Sequence, residues 1–264
     1  MQLTIDIVDA FTSRQFGGNA AAVIELDAWL SDEVLLAIAA QNNLSETAYL
    51  RKRDKGVYDI RWFSPITEID FCGHATLAAS FTVFERQPSL SKLVLKTTAV
   101  GDFTIERQPN GDIVMDFPGR PPEEVRDVPP SLLSGLSIQP DAVLRSPQAY
   151  FAIYSDEQQV RALQTNSDEL KRLAPYDVVA TAPGTDYDFV SRYFWPANGG
   201  DEDPVTGSIH TGLAPYWAGR LGKTHLIAYQ ASHRGGELTC DVKGDRVQIT
   251  GRCVLYSRGT VFLS

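Results

Sequence analysis

The chain repeats the order of its predicted elements after about 130 residues, and this repeat constrains the fold more than any other feature. Residues 58–65 read as a strand that ends in proline, and residues 187–196 end in the same way. Each run leads through an acidic loop to a helix start built of small residues, at 72–76 and at 204–208. Such self-similarity in the same order predicts an internal duplication.

Hydrophobic periodicity assigns elements to this repeat. Strands are predicted at residues 3–8, 21–26, 47–51, 58–63, 93–97, 103–107, 113–117 and 150–154, and helices at 73–86 and about 157–173. We therefore predict an α+β fold of two similar domains, each an antiparallel sheet curved around a central helix. The domains are expected at residues 1–117 and 118–255, and the C-terminal strand, about 256–264, can return to the first. The active site is expected in the cleft between them.

Composition excludes several classes of protein. The net charge of −9 argues against binding to nucleic acid. The chain shows no secretory signal and no apolar run of about 18 residues, so we expect a soluble cytoplasmic protein without a membrane span. Its three cysteines and four histidines have neither disulfide-framework nor metal-site spacing, so we expect no structural disulfide and no metal.

The two helix starts are candidate anion sites. A helix N-terminus exposes backbone N–H groups and a partial positive charge, and it can hold a carboxylate. Gly73 and Gly207 would let a ligand approach the backbone closely, and His74 and Ser208 would add side-chain donors. The alternative is that both glycines only pack a tight turn, but their recurrence in the repeat favours an anion site.

Glu46 is the first candidate for acid–base chemistry. If residues 44–50 form a strand, Glu46 shares its face with Leu44, Ala48 and Leu50, the face expected to be buried. Burying a carboxylate is costly unless it is hydrogen-bonded, protonated or used. The alternative is that Glu46 lies in a turn, where it caps a neighbouring segment or faces water.

Three other side chains have open roles. Asp203, just before the second helix start, either binds a substrate ammonium or stabilises the helix dipole. Cys72 precedes the first helix start, where a thiolate would be stabilised, but the matching position in the second half is Pro204. A buried, unreactive thiol therefore competes with a role in a two-base racemase. His210 is interpreted as a packing residue.

The chain resembles the phenazine-biosynthesis-like (PhzF-like) family. The motifs that carry the resemblance occur in family order at residues 9–12, 18–19, 22–23, 45–48, 71–76 and 202–208. The resemblance implies the diaminopimelate-epimerase-like fold, a homodimer, and catalysis without a cofactor. The best-known reaction of the family isomerises a dihydro-hydroxyanthranilate. Cys72 departs from the phenazine enzymes themselves, so that substrate is not carried over.

By the same resemblance, Glu46 is the catalytic acid/base, and the other site residues bind substrate: His74, Asp203, Ser208, Gly73, Gly207 and Thr206. We predict a cofactor-independent isomerase that moves a proton on a small amino or hydroxy carboxylic acid held between the domains. Two alternatives stay open at this point. One is an amino-acid racemase or epimerase that uses Cys72, and the other is a non-catalytic metabolite-binding protein.

Overall fold

The computed structural model describes residues 1–99 and 101–263. The strands are β1 (Gln2–Ala10), β2 (Asn19–Leu26), β3 (Glu46–Asp54), β4 (Val57–Phe63), β5 (Glu68–Ile69), β6 (Lys92–Lys96), β7 (Phe103–Arg107), β8 (Ile113–Pro118), β9 (Glu123–Glu124), β10 (Ala142–Arg145), β11 (Ala149–Ile153), β12 (Asp177–Pro183), β13 (Phe189–Trp195), β14 (Gly200–Asp203), β15 (His225–Gln230), β16 (Gly236–Lys243), β17 (Arg246–Gly251) and β18 (Cys253–Phe262). The helices are α1 (Asp32–Asn42), α2 (Gly73–Arg86), α3 (Pro130–Ser134), α4 (Glu157–Ala162), α5 (Ser167–Leu170) and α6 (His210–Leu221), with a 3₁₀ turn at Lys171–Leu173. Among the described residues, no helix has both the length and the apolar character needed to cross a bilayer.

The chain forms two units. The first contains residues 1–116 together with the C-terminal segment from residue 250, and the second contains residues 117–249. The last strand, β18, belongs to the first unit because it pairs antiparallel with β1 along almost its whole length. This pairing runs from Phe262 opposite Gln2 to Cys253 opposite Ala10.

Both units are built on the same sequence of strand pairings. In the first unit, β1–β2, β3–β4, β4–β5 and β6–β7 are antiparallel, while β2–β3 and β4–β6 are parallel. In the second unit, β10–β11, β12–β13, β13–β14 and β15–β16 are antiparallel, while β11–β12 and β13–β15 are parallel. The predicted α+β class with two similar domains is confirmed.

The sheets differ from the prediction in being mixed rather than antiparallel throughout. In the first unit, α1 connects the parallel pair β2 and β3, and α2 connects β4 and β6 by way of β5. Parallel neighbours need a crossover, and a helix supplies it. The alternating pattern of single strands carries no information about the direction of their neighbours, so this feature escaped the sequence argument.

Helix α2 lies in the core of the first unit. Eleven of its residues are buried, and it packs against β1, β2, β3 and β18. The small side chains of Ala75, Ala78, Ala79 and Ser80 let the surrounding strands approach the helix axis closely. The predicted helix at residues 73–86 coincides with α2.

The predicted helix at residues 157–173 is wrong, because the structure divides this segment into α4, α5 and the 3₁₀ turn. Leu163 ends α4 with an extended backbone, at φ −59° and ψ 128°. Asn166 then caps a new helix, since its side chain accepts hydrogen bonds from the N–H groups of Asp168 and Glu169. A polar side chain that competes for backbone donors therefore interrupts the helix.

A buried ion-pair cluster connects three elements of the first unit. Asp6 on β1 has no solvent exposure. Its Oδ2 lies 2.9 Å from Nη2 of Arg86 on α2, and its Oδ1 lies 2.6 Å from Nε of Arg258 on β18. Removing one partner of a buried pair leaves an uncompensated charge, so this cluster holds the C-terminal strand and the central helix to β1.

We expect Asp6→Asn to lower the free energy of unfolding by about 3 kcal/mol, because Arg258 then loses its carboxylate partner and Arg86 keeps only Glu25. Glu106→Gln is the matched control, since its ion pair with Lys92 is exposed and its loss should cost less than about 1 kcal/mol. Urea denaturation at neutral pH measures both values. Equal losses in the two variants would contradict a structural role for the Asp6 cluster.

Candidate active site

Glu46 is the first residue of β3 and lies opposite Ala21 of the parallel strand β2. The side chain is buried, with 4% of the residue exposed. Residues 47–50, which follow it on the strand, are buried as well. The carboxylate is therefore held on a rigid strand, away from bulk water, in the position where polar partners or a ligand must offset its desolvation.

His74 lies beside Glu46. It is the second residue of α2, and its Nε2 is 3.0 Å from Oε2 of Glu46. Oε2 accepts no well-aligned hydrogen bond within the part of the chain that the structure describes. The two groups are thus close enough to exchange a proton, while Oε2 keeps the capacity to accept a hydrogen bond from another donor.

Asn19 supports the other side of the imidazole. Its Nδ2 lies 3.1 Å from Nδ1 of His74, and its Oδ1 accepts a hydrogen bond of 3.2 Å from the Ser45 hydroxyl. If the Asn19 amide is flipped, its Oδ1 accepts a hydrogen bond from a protonated Nδ1 of His74, and its Nδ2 donates to the Ser45 hydroxyl. Asn19 therefore holds the ring in place in either protonation state of His74.

The electrostatic surroundings favour a protonated His74. Burial by itself lowers the pKa of this imidazole, but the neighbouring Cys72 and Glu46 outweigh burial and hold the pKa well above its ordinary value. We attribute the charge chiefly to Glu46, because the Cys72 thiol is neutral at neutral pH. The result is a buried, protonated imidazole beside Glu46 at the start of α2.

Cys72 is the N-cap residue of α2, and its Sγ lies 3.4 Å from Nδ1 of His74. Burial, followed by the charge of Glu46, raises the pKa of the thiol to about 11. The partial positive charge at the helix start would by itself lower the pKa of the thiol, but here it does not produce a thiolate at neutral pH. As the structure stands, Cys72 is a neutral neighbour of the pair.

In the second unit, Asp203 and Thr206 lie together. Asp203 is buried, and its Oδ2 accepts a hydrogen bond of 2.5 Å from the Thr206 hydroxyl. Gln230 binds both ends of this turn, since its Oε1 accepts from the Thr206 N–H and its Nε2 donates to the Asp203 carbonyl. These hydrogen bonds fix the conformation of the acidic loop, and the backbone N–H of Thr206 already donates to Gln230.

Ser208 belongs to a polar chain that the sequence argument missed. Gln148 donates from Nε2 to the Ser208 hydroxyl at 2.9 Å and also to the Tyr193 hydroxyl at 2.9 Å. The Tyr193 hydroxyl in turn donates to Oδ2 of Asp177 at 2.6 Å. Burial raises the pKa of Asp177, although Tyr193 and Asn198 both donate to it.

The repeat contained the signal for Asp177. It opens β12 in a parallel pair with β11, as Glu46 opens β3 in a parallel pair with β2. Asp177 lies about 130 residues after Glu46, which is the offset of the repeat. Each unit therefore places a carboxylate at the start of the equivalent strand.

The second helix start needs a correction. Helix α6 begins at His210, so Thr206, Gly207 and Ser208 precede it in a turn, in which the His210 N–H donates to the Gly207 carbonyl. In the first unit, by contrast, Gly73 and His74 are themselves the first residues of α2. The site residues thus fall into two groups, with Glu46, Gly73 and His74 in the first unit and Asp203, Thr206, Gly207 and Ser208 in the second.

His210 lies in the core of the second unit, with no solvent exposure. Its Nδ1 donates to the Thr206 carbonyl at 2.9 Å, and burial lowers its pKa to about 4. The folded state therefore binds this proton less readily than the unfolded state, whose imidazole has its ordinary pKa near 6.5. Its contribution to stability is present above pH 6.5 and is lost as the pH falls towards 4.

We expect His210→Asn, which keeps a donor for Thr206, to lose less stability than the natural protein between pH 7 and pH 4. Over this pH range, the unfolding free energy of the natural protein should fall by about 2–3 kcal/mol more than that of the variant. This value follows from the gap between the folded and unfolded pKa values of His210. Urea denaturation at both pH values measures it. The control is His225→Asn, whose side chain is 64% exposed, and a parallel loss in all three proteins would contradict the assignment.

Comparison with known proteins places this geometry in a family. The family model described as phenazine biosynthesis-like protein matches residues 8–259. An uncharacterized isomerase from Pseudomonas aeruginosa is 48% identical over 264 residues, which cover 100% of both chains. A crystal structure of a PhzF-family phenazine biosynthesis protein from Enterococcus faecalis is 39% identical, with a TM-score of 0.92 over 100% of both chains.

A more distant structure supports the fold alone. A hydroxyproline epimerase from Agrobacterium vitis is 11% identical, with a TM-score of 0.58 over 98% of this chain and 92% of that one. The predicted diaminopimelate-epimerase-like fold is confirmed. Since similar curated relatives are described as isomerases, the prediction of an isomerase enzyme is confirmed as well. The chain belongs to the phenazine biosynthesis-like (PhzF) protein family.

Proposed function

We propose that this protein is a cofactor-independent isomerase that moves a proton on a small amino or hydroxy carboxylic acid. One observation carries the proposal: the buried Oε2 of Glu46 lies 3.0 Å from Nε2 of His74 and accepts no well-aligned hydrogen bond among the described residues. A carboxyl oxygen in this position can exchange a proton with a ligand atom at hydrogen-bonding distance.

The chemistry needs only these side chains. The Glu46 carboxylate accepts a proton from one substrate carbon, and the electron pair of that C–H bond moves into the adjoining unsaturated system. The resulting carboxylic acid returns the proton to another carbon or to the amine, so no electrons leave the substrate. The His74 imidazolium balances the charge of the carboxylate while it is ionised, and Asn19 keeps the imidazole in position.

The remaining site residues are proposed to bind substrate. The first turn of α2 contains no acidic residue, so its Gly73 and His74 N–H groups and the His74 charge suit a substrate carboxylate. In the second unit, Asp203 suits an ammonium or hydroxyl group, Thr206 offers its hydroxyl oxygen as an acceptor, and Gly207 and Ser208 offer backbone N–H groups and the Ser208 hydroxyl. Gln148 orients the Ser208 hydroxyl through the hydrogen bond between them.

We also propose where the protein is located, how many chains it contains and what kind of partner it binds. The family resemblance supports a cytoplasmic homodimer, and the net charge of −9 supports a small-molecule partner rather than a nucleic acid. Light scattering coupled to size-exclusion chromatography tests the homodimer, and a mass of about 29.1 kDa would contradict it.

Glu46→Gln should keep the fold and ligand binding while reducing turnover by about 100-fold or more, because the amide cannot carry the proton. The assay follows deuterium uptake from D₂O into a panel of small amino and hydroxy carboxylic acids, starting with a dihydro-hydroxyanthranilate, by NMR. Glu106→Gln, on an exposed strand position, is the control and should exchange normally. Full exchange activity in Glu46→Gln would remove Glu46 from the mechanism.

Cys72 distinguishes this proposal from an epimerase with two proton carriers. Its Sγ lies 3.4 Å from Nδ1 of His74, but a pKa of about 11 leaves it protonated at neutral pH. We therefore expect Cys72→Ala to keep deuterium exchange at the substrate carbon within about tenfold of the natural rate, less than the loss of an acid–base group. Loss of exchange comparable to that of Glu46→Gln would favour the epimerase.

A further inference from the structure

Three metal-ligating groups converge in the first unit although their spacing in the sequence has no metal motif. The ligand atoms of Glu46, Cys72 and His74 all lie within 4.8 Å of one another. All three residues are buried, with 4%, 8% and 3% of their surface exposed. Carboxylate oxygen, thiolate sulfur and imidazole nitrogen are the usual protein ligands of zinc.

The separations of these atoms suit a tetrahedral metal centre. Zinc bonds of about 2.0–2.3 Å at a tetrahedral angle place ligand atoms about 3.3–3.6 Å apart. Nε2 of His74 lies 3.0 Å from Oε2 of Glu46 and 3.9 Å from Sγ of Cys72. The Glu46 and Cys72 ligand atoms lie within 4.8 Å of each other, so side-chain rotations that shorten this separation by at most about 1.5 Å would bring all three atoms onto one ion.

The surroundings also suit a metal-bound imidazole. Coordination through Nε2 requires a proton on Nδ1 and an acceptor for it, and a carbonyl or carboxylate usually supplies that acceptor. Asn19, 3.1 Å from Nδ1, supplies it when its amide is turned over, and Ser45 can accept from the other end of the amide. An outer hydrogen-bonding partner is thus already in place.

The charge balance of the three ligands and the hydrogen bonding of Glu46 also favour a bound divalent ion. A divalent ion held by one carboxylate, one thiolate and one neutral imidazole forms a site with no net charge, which reduces the cost of burial. The ion would also bind Oε2 of Glu46, a buried oxygen without a well-aligned hydrogen bond in the described residues.

We propose that Glu46, Cys72 and His74 form a binding site for a divalent transition-metal ion of the Zn²⁺ and Co²⁺ class, and that the bound ion inhibits the enzyme. Binding releases the thiol proton of Cys72 and the Nε2 proton of His74 to solvent, and no redox step occurs. The ion inhibits because it occupies the carboxyl oxygen that carries the proton. The inhibition rests on the proposed function, whereas the binding does not.

Cobalt binding tests the site without an enzyme assay. The full-length protein, reduced with a phosphine and freed of metal, is titrated with Co²⁺ and followed by absorption. We expect one Co²⁺ per chain, with a sulfur-to-cobalt charge-transfer band and the intense visible bands of a tetrahedral centre, and displacement by one equivalent of Zn²⁺. Absence of these bands at millimolar Co²⁺ would overturn the proposal.

Variants assign the ligands. Cys72→Ser should abolish the charge-transfer band, and Glu46→Gln should keep the band but weaken Co²⁺ binding by more than about tenfold. Cys253→Ser, which removes another thiol of the same unit, is the matched control and should bind as the natural protein does. A band that survives Cys72→Ser, or one that disappears in Cys253→Ser, would place the metal elsewhere and refute the site.

The inhibition has its own measurement. One equivalent of Zn²⁺ should reduce deuterium exchange by about tenfold or more in the natural protein, and a chelator should restore it. Cobalt bands without any effect on exchange would keep the metal site and refute the inhibition. Bands in a protein that exchanges no substrate would leave the site intact and count against the proposed function alone.

Discussion

The contact between Glu46 and His74 is the interaction on which the site depends. A lone carboxylate with 4% exposure would be costly to ionise, and a lone buried imidazole would resist protonation. At 3.0 Å, each group offsets the desolvation of the other. The pair can form because β3 begins at Glu46 and α2 begins one residue before His74, so that both side chains project from the ends of rigid elements.

The two units share their strand pairings but differ in the chemistry of the carboxylate that opens the equivalent strand. Asp177 stands in the second unit where Glu46 stands in the first, but its carboxylate is held by Tyr193 and Asn198 rather than by a histidine. A carboxylate that already accepts two hydrogen bonds is less free to exchange a proton with a ligand. The two units therefore differ in the chemistry of these carboxylates although their strand pairings match.

Much of the fold was predictable because it depends on local patterns. The small apolar residues of 73–86 specify a buried helix wherever the sheet lies, and α2 has those limits. The segment 157–173 failed because Asn166 competes for backbone N–H groups, and α6 begins later than predicted because Gly207 and Ser208 form a turn first. In both cases a few local hydrogen bonds decided where the helix begins.

The residues themselves determined which groups are available: a carboxylate on the buried face of a strand, a glycine–histidine helix start, and the repeat that pairs Glu46 with Asp177. Only the tertiary structure decided that Asn19, Cys72 and Glu46 surround the imidazole of His74. Periodicity describes the faces of single elements, whereas the distance between side chains on different elements follows from how strands and helix pack. A cluster whose members lie up to 55 positions apart therefore leaves no local pattern to read.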